Sequence, residues 1–87
     1  MTASGRMYLK AIYYLSGDGA TRPAEIAEAL GVSRPSVSNA LCKLAKQGLL
    51  MHEPYGDVEL TAAGRKAAQA LAAADERLRL GTMLVAL

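Results

Sequence analysis

The chain has 87 residues, of which ten are basic and eight acidic, for a net charge of +2. Apolar residues make up 52%, but 17 of them are alanine, leaving 28 larger apolar side chains: enough for one small core, too few for a second domain, a cleft between lobes or a repeat array. A single cysteine, Cys42, excludes an internal disulfide, and a single histidine, His52, excludes the usual His/Cys metal cluster, so the core must hold by packing alone.

Met1 to Gly5 are small and polar without a period and read as a frayed end. From Arg6 to Ser16, residues Tyr8, Leu9, Ile12, Tyr13 and Leu15 fall at the spacing of a helix with one apolar face, which Gly17-Asp18-Gly19 ends. A second helix opens near Thr21 or Arg22, with Pro23 in its first turn and Glu25 near the positive end of its dipole. Ile26, Ala27 and Leu30 form its buried face, and Gly31 stands where a positive φ stops the chain. The third helix is the best specified: Ser33 is a good N-cap, Pro35 fits the first turn, and the pattern runs to Gln47 before Gly48. At about 100° per residue, Val37, Ala40, Leu41, Leu44 and Ala45 gather on one side of it, and Pro35, Asn39, Cys42, Lys43 and Lys46 on the other.

After Gly48, two short apolar runs, Leu49 to Glu53 and Val58 to Leu60, flank Pro54-Tyr55-Gly56-Asp57 and signal a hairpin. Thr61 then caps a long alanine-rich helix from Ala62, in which Gly64 is a weak point and the stripe Leu71, Ala74, Leu78 is shallow. Residues Leu78 to Leu87 are conspicuously apolar, yet Leu80 to Leu87 falls far short of the roughly 18 residues a membrane-spanning helix needs. Lys10 interrupts the N-terminal apolar segment, which argues against a signal peptide and for a cytoplasmic protein.

The order helix, glycine turn, helix, hairpin is that of a winged helix-turn-helix. Ala27 is small where two helices cross, Gly31 lets the chain reverse, and Val37 plugs the angle between them. The second helix of the pair then presents Ser36, Asn39, Lys43 and Lys46 outward at a size that suits the DNA major groove. Asparagine can pair with an adenine edge, serine can reach bases or phosphates, and lysine neutralises backbone charge. The net charge is too small to argue for nucleic acid, but its distribution does: between Val32 and Met51 there are Arg34, Lys43 and Lys46 and no acid, with acids on either side. Each residue alone has a bland reading. Ser33 caps helices in most proteins, Lys43 and Lys46 are ordinary surface lysines, and Cys42 is a bystander unless its thiol pKa is lowered. The combination at these spacings carries the argument.

The chain resembles the N-terminal DNA-binding domain of the diphtheria-toxin-repressor family of iron- and manganese-dependent repressors. The residues that carry the likeness are Met7 to Tyr13, Ile26 to Ser33, Pro35 to Ser38, Leu44 to Leu49, Glu53 to Tyr55 and Leu60 to Arg65. The resemblance implies DNA contacts at Ser33, Pro35, Ser36, Ser38 and Asn39. Arg34, Lys43 and Lys46 supply charge beside them, and Tyr55 stands in the wing. Where the family's wing commonly reads Tyr-Arg-Gly, this chain has Tyr55-Gly56-Asp57, so the basic residue is missing and an acid stands nearby. For a metal, the matching positions offer Met7 on the first helix and Asp75 on the fourth, whereas Lys10 and Arg79 replace ligands. Fe2+ or Mn2+ is thus implied by the family, but a complete site cannot be assembled from these residues, and Met7 reads better as core packing.

The expected fold is mainly α with a small β-hairpin: a winged helix-turn-helix with a three-helix core, a two-stranded wing and a long C-terminal helix. Residues 1–61 form the DNA-binding domain and 62–87 a helix for dimerisation or for connection to an absent domain. The expected function is sequence-specific binding of double-stranded DNA by a transcriptional regulator, a repressor by resemblance, acting as a homodimer. The competing reading is a winged-helix protein-interaction module with Leu78 to Leu87 as its adhesive patch. An enzyme is the weakest reading, since no phosphate-binding glycine loop exists and Cys42 with His52 would lack an orienting third group.

Overall fold

A computed structural model of the chain describes residues 2–17, 19–53 and 56–86, with side chains as far as Ala74. The elements are α1 (Ala3–Ser16), β1 (Ala20–Thr21), α2 (Pro23–Leu30), α3 (Arg34–Lys46), β2 (Leu50–His52), β3 (Val58–Leu60) and α4 (Ala62–Ala86). Helices α1, α2 and α3 pack on one another, the antiparallel sheet closes one side, and α4 lies against α1. Among the described residues, no helix is long and apolar enough to cross a membrane.

The core takes Leu9 and Ile12 from α1, Ile26 from α2, and Val37, Leu41 and Leu44 from α3. The sheet adds Leu50, Val58 and Leu60, and α4 adds Ala68. Burying each large aliphatic side chain stabilises by about 1.5–3 kcal/mol, whereas an N-cap contributes about 1 kcal/mol. The apolar stripe therefore sets where α3 sits, and the Ser33 cap sets where it begins. Gly31, at φ 66°, lets α2 end in a left-handed residue, and Val32 N–H donates to the Ala27 carbonyl at 3.1 Å as the chain reverses into α3.

Several expectations need correction. Ala3 to Gly5 are helical rather than frayed, because the Thr2 hydroxyl accepts from Gly5 N–H at 3.0 Å and caps the helix. Leu15 is 41% exposed although it stands only about 20° from Tyr8 on the wheel; it lies in the last turn of α1. Ala45 is exposed as well: on the wheel it stands some 80–100° from Val37 and Leu44. Ala74 is also exposed, and the inward stripe of α4 runs instead through Gly64, Ala68 and Leu71. The sheet gains a third strand, in the order β1-β3-β2, with Ala20 opposite Glu59 and Thr21 opposite Val58. β2 pairs on the other edge, His52 opposite Val58 and Leu50 opposite Leu60.

Gly64 is a point of close approach rather than a weakness. Thr61 N–H donates to the Leu49 carbonyl at 3.2 Å, and the Thr61 hydroxyl donates to the Gly48 carbonyl at 2.6 Å. The same hydroxyl oxygen accepts from Gly64 N–H at 3.0 Å, capping α4. These bonds draw α4 onto the strand of chain leaving α3, so that a Cβ at Gly64 would collide with the Leu49 carbonyl. Farther along, Arg65 Nη1 donates to the Gly17 carbonyl at 2.6 Å and ties α4 to the end of α1. Gly64→Ala is expected to destabilise by about 1–3 kcal/mol although alanine is the better helix former. Denaturant unfolding measures this, and a neutral or stabilising result would mean the contact is dispensable.

Candidate nucleic-acid interface

Helix α3 begins at a double serine. The Ser33 and Ser36 hydroxyl oxygens are 2.9 Å apart, and Ser36 N–H donates to Ser33 Oγ at 3.3 Å. Pro35 sits in the first turn, where its missing N–H is harmless. Since Val37, Leu41 and Leu44 are buried, the opposite side of the helix must face outward, and Ser36, Asn39, Cys42, Lys43 and Lys46 are all exposed there. Arg34, Pro35 and Ser38 are exposed as well, near the helix's amino end. The structure thus brings together Ser33, Arg34, Pro35, Ser36, Ser38, Asn39, Lys43 and Lys46 on one helix and its cap.

The charge layout suits an anionic partner. Helix α3 carries no acid, its positive dipole end is open beside the two serines, and Lys43 and Lys46 sit in its last turn. Along one edge of the helix runs a groove of about 630 Å3. There the head of α1, with Thr2, Ser4 and Gly5, faces Ser36, Asn39 and Lys43. These α1 residues are the polar groups beside α3 that a reading of Met1 to Gly5 as frayed overlooks. The available signal is Thr2 as an N-cap ahead of the apolar run. On the opposite edge, Arg34 shares a depression of about 420 Å3 with residues of α2 and of the hairpin.

The start of α2 is held by Glu25. Its carboxylate accepts from the buried Thr21 hydroxyl at 2.7 Å and from Arg22 N–H at 3.4 Å. These hydrogen bonds, the Thr21 bond foremost, hold the Glu25 carboxyl below its ordinary value of 4.5. Tyr55 of the expected interface lies outside the described residues, as do the side chains of Asp75 and of the Leu78 to Leu87 run.

Of the expected metal positions, only the Met7 side chain is described. Met7 is 40% exposed on α1, which also overturns its reading as core packing. Among the described residues, no three His, Cys, Asp or Glu side chains gather where they could hold an ion. The described donors therefore do not fit a bound Fe2+ or Mn2+.

Comparison with known proteins agrees with this geometry. Residues 1–58 match the family described as iron dependent repressor, N-terminal DNA binding domain. The HTH-type transcriptional regulator MntR of Geobacillus kaustophilus is 41% identical over 71 residues, 80% of this chain and 50% of that protein. The regulator of the same name from Lysinibacillus sphaericus is 37% identical over 78 residues, 88% of this chain and 56% of that protein. The chain thus spans about half the length of the curated relatives it matches. Among solved structures, a transcriptional regulator protein from Pseudomonas aeruginosa superposes with a TM-score of 0.79 at 26% identity, over 97% of this chain and 59% of that one. MepR, a transcription regulator of the Staphylococcus aureus multidrug efflux pump MepA, gives 0.72 at 25% identity over 100% of this chain and 65% of that one. All four are regulators rather than enzymes.

Because the folded Glu25 carboxyl binds its proton less readily than the unfolded one, its contribution to stability is present above pH 4.5 and is lost as pH falls through the depressed folded value. The thermal midpoint should drop as pH falls below 4.5, and Glu25→Gln should flatten part of that drop. Identical profiles for the two proteins would show that Glu25 does not anchor α2.

Proposed function

This chain belongs to the iron dependent repressor family, of which it carries the N-terminal DNA-binding domain, and from that premise we propose that it reads double-stranded DNA sequence-specifically with α3 in the major groove. The observation that carries this reading is the exposed, acid-free face of α3, fixed by the burial of Val37, Leu41 and Leu44 behind it. Asn39 takes the role of base reader, since its amide can both donate to and accept from an adenine edge. Ser36 and Ser38 reach bases or phosphates, while Ser33 and Pro35 set the depth at which the helix enters. Arg34, Lys43 and Lys46 neutralise the backbone, and Tyr55 adds a contact from the hairpin.

The protein works in the cytoplasm as a repressor. Residues 1–61 bind DNA, and 62–87 bring two copies together so that two α3 helices meet a two-fold related operator. Control by Fe2+ or Mn2+, implied by the family, needs ligands beyond the donors described in this domain. The 87-residue chain by itself therefore binds DNA independently of either ion.

On a site selected from a random duplex pool, Asn39→Ala and Ser36→Ala should each lose about 1–3 kcal/mol of preference for the cognate sequence. Lys46→Ala should weaken all sequences about equally and reduce the salt slope by about 1. If the wild-type chain shows no salt-dependent binding to any duplex at low ionic strength, the reading is lost. Adding Fe2+ or Mn2+ to the 87-residue chain should leave its affinity unchanged, and an increase of about tenfold would place a working metal site within it.

A further inference from the structure

Two guanidinium groups and an imidazole, from three parts of the chain, surround the depression at the edge of α3. Arg22 comes from the residue that begins α2, Arg34 from the first turn of α3, and His52 from the end of β2. Ala24 from the first turn of α2 also lines it, so the positive end of that helix's dipole adds to the field. The one acid in the lining is Asp57, whose Oδ1 is 3.8 Å from Arg22 Nε. Both of these side chains are mostly exposed, so the pair is long, solvated and easily exchanged for a stronger partner. The side chains of Arg34 and His52 have no hydrogen-bond or ion-pair partner among the described residues. The Glu25 carboxylate also lies near Arg22, so Arg22 stands between two acids, while Arg34 and a protonated His52 supply the unbalanced positive charge.

The position of this depression identifies the anion. Arg34 follows Ser33 and belongs to the turn that contains Ser36, so the depression continues the face proposed to enter the major groove. The segment between β2 and β3, Glu53-Pro54-Tyr55-Gly56-Asp57, has no basic residue with which to hold a strand on this flank. We propose that Arg22 and Arg34 clamp a phosphate of the DNA backbone here, and that His52 adds a third, proton-dependent charge to the clamp. This assignment rests on the DNA-binding reading and adds Arg22 and His52 to the interface. It also makes DNA affinity rise as pH falls, because a protonated imidazole adds positive charge to the clamp. His52 is the chain's one histidine, so His52→Gln removes every imidazole from the chain. The charged groups facing the imidazole are Arg22 from α2, Arg34 from α3 and Asp57 from the hairpin.

The test uses the 87-residue chain and a mixed-sequence duplex of about 30 base pairs, followed by fluorescence anisotropy from about 50 to 200 mM salt. Arg22→Ala should weaken binding about 3- to 10-fold and lower the salt slope by about 1, with Arg22→Lys restoring most of the slope. The wild type should bind about threefold or more tightly at pH 6 than at pH 8, and His52→Gln should abolish that gain. Unchanged thermal transitions exclude misfolding as the cause, and Arg22 serves as the second probe because His52 is half-buried. If the wild type binds duplex with a normal salt slope but Arg22→Ala leaves affinity and slope unchanged, the clamp is overturned and the DNA reading stands. If the wild type binds no duplex, both fall. Displacement of the duplex by inorganic phosphate, beyond that produced by chloride at equal ionic strength, would show a site for a free anion and overturn the assignment to the DNA backbone.

Discussion

Helix α1 is the element against which all the others are placed. Its stripe of Tyr8, Leu9 and Ile12 is withdrawn from solvent, and α2, α3, α4, β1 and β3 all pack on the helix that carries it. In a chain with so few large apolar residues, one shared surface lets four helices and a sheet close without a second core. This also explains why Ala27 and Ala68 are small. Where several elements converge on one rod, backbones must come close, and the residues at the crossings lose their side chains before the rod does.

The binding face follows from that packing by exclusion. With Val37, Leu41 and Leu44 turned toward α1 and α2, the serines, asparagine and lysines of α3 have only the outward direction left. No polar group on this face is needed for folding except the Ser33 cap, so its chemistry is free to be set by a partner. The sheet and α1 then define the two edges of the helix differently: hydroxyl groups at the head of α1 on one side, guanidinium groups and an imidazole on the other.

Where information is local, the sequence is legible. Caps, proline, glycine and a 3.6-residue stripe all coincide on α3, so its ends, its buried side apart from Ala45, and its outward residues can be read without coordinates. Elsewhere the deciding contact comes from far along the chain. β1 is two residues, Ala20 and Thr21, with no period of their own, and exists because Val58 and Glu59 pair with it. Gly64 looks like a propensity defect until the Leu49 carbonyl is seen against it. Met7 and Leu15 have the composition of core residues, but Met7 falls about 100° from Tyr8 on the wheel and Leu15 sits in the last turn of α1. The depression of Arg22, Arg34 and His52 draws on three elements, and no sequence pattern spans them. The family likeness read from short motifs agrees with the match over residues 1–58 because those motifs are themselves local.

The bonds around Thr61 join the foot of α4 to the chain leaving α3 within a few residues: Gly48 and Leu49 on one side, Thr61 and Gly64 on the other. No flexible linker separates the two helices at this point, so they behave as a crank whose short arm is α3 and whose long arm is α4. On the proposed reading, a small change in the direction of α4 would be converted at its root into a rotation of α3. Spacing and tilt between two such α3 helices would then be governed by whatever holds their α4 helices, however far that contact lies from the groove.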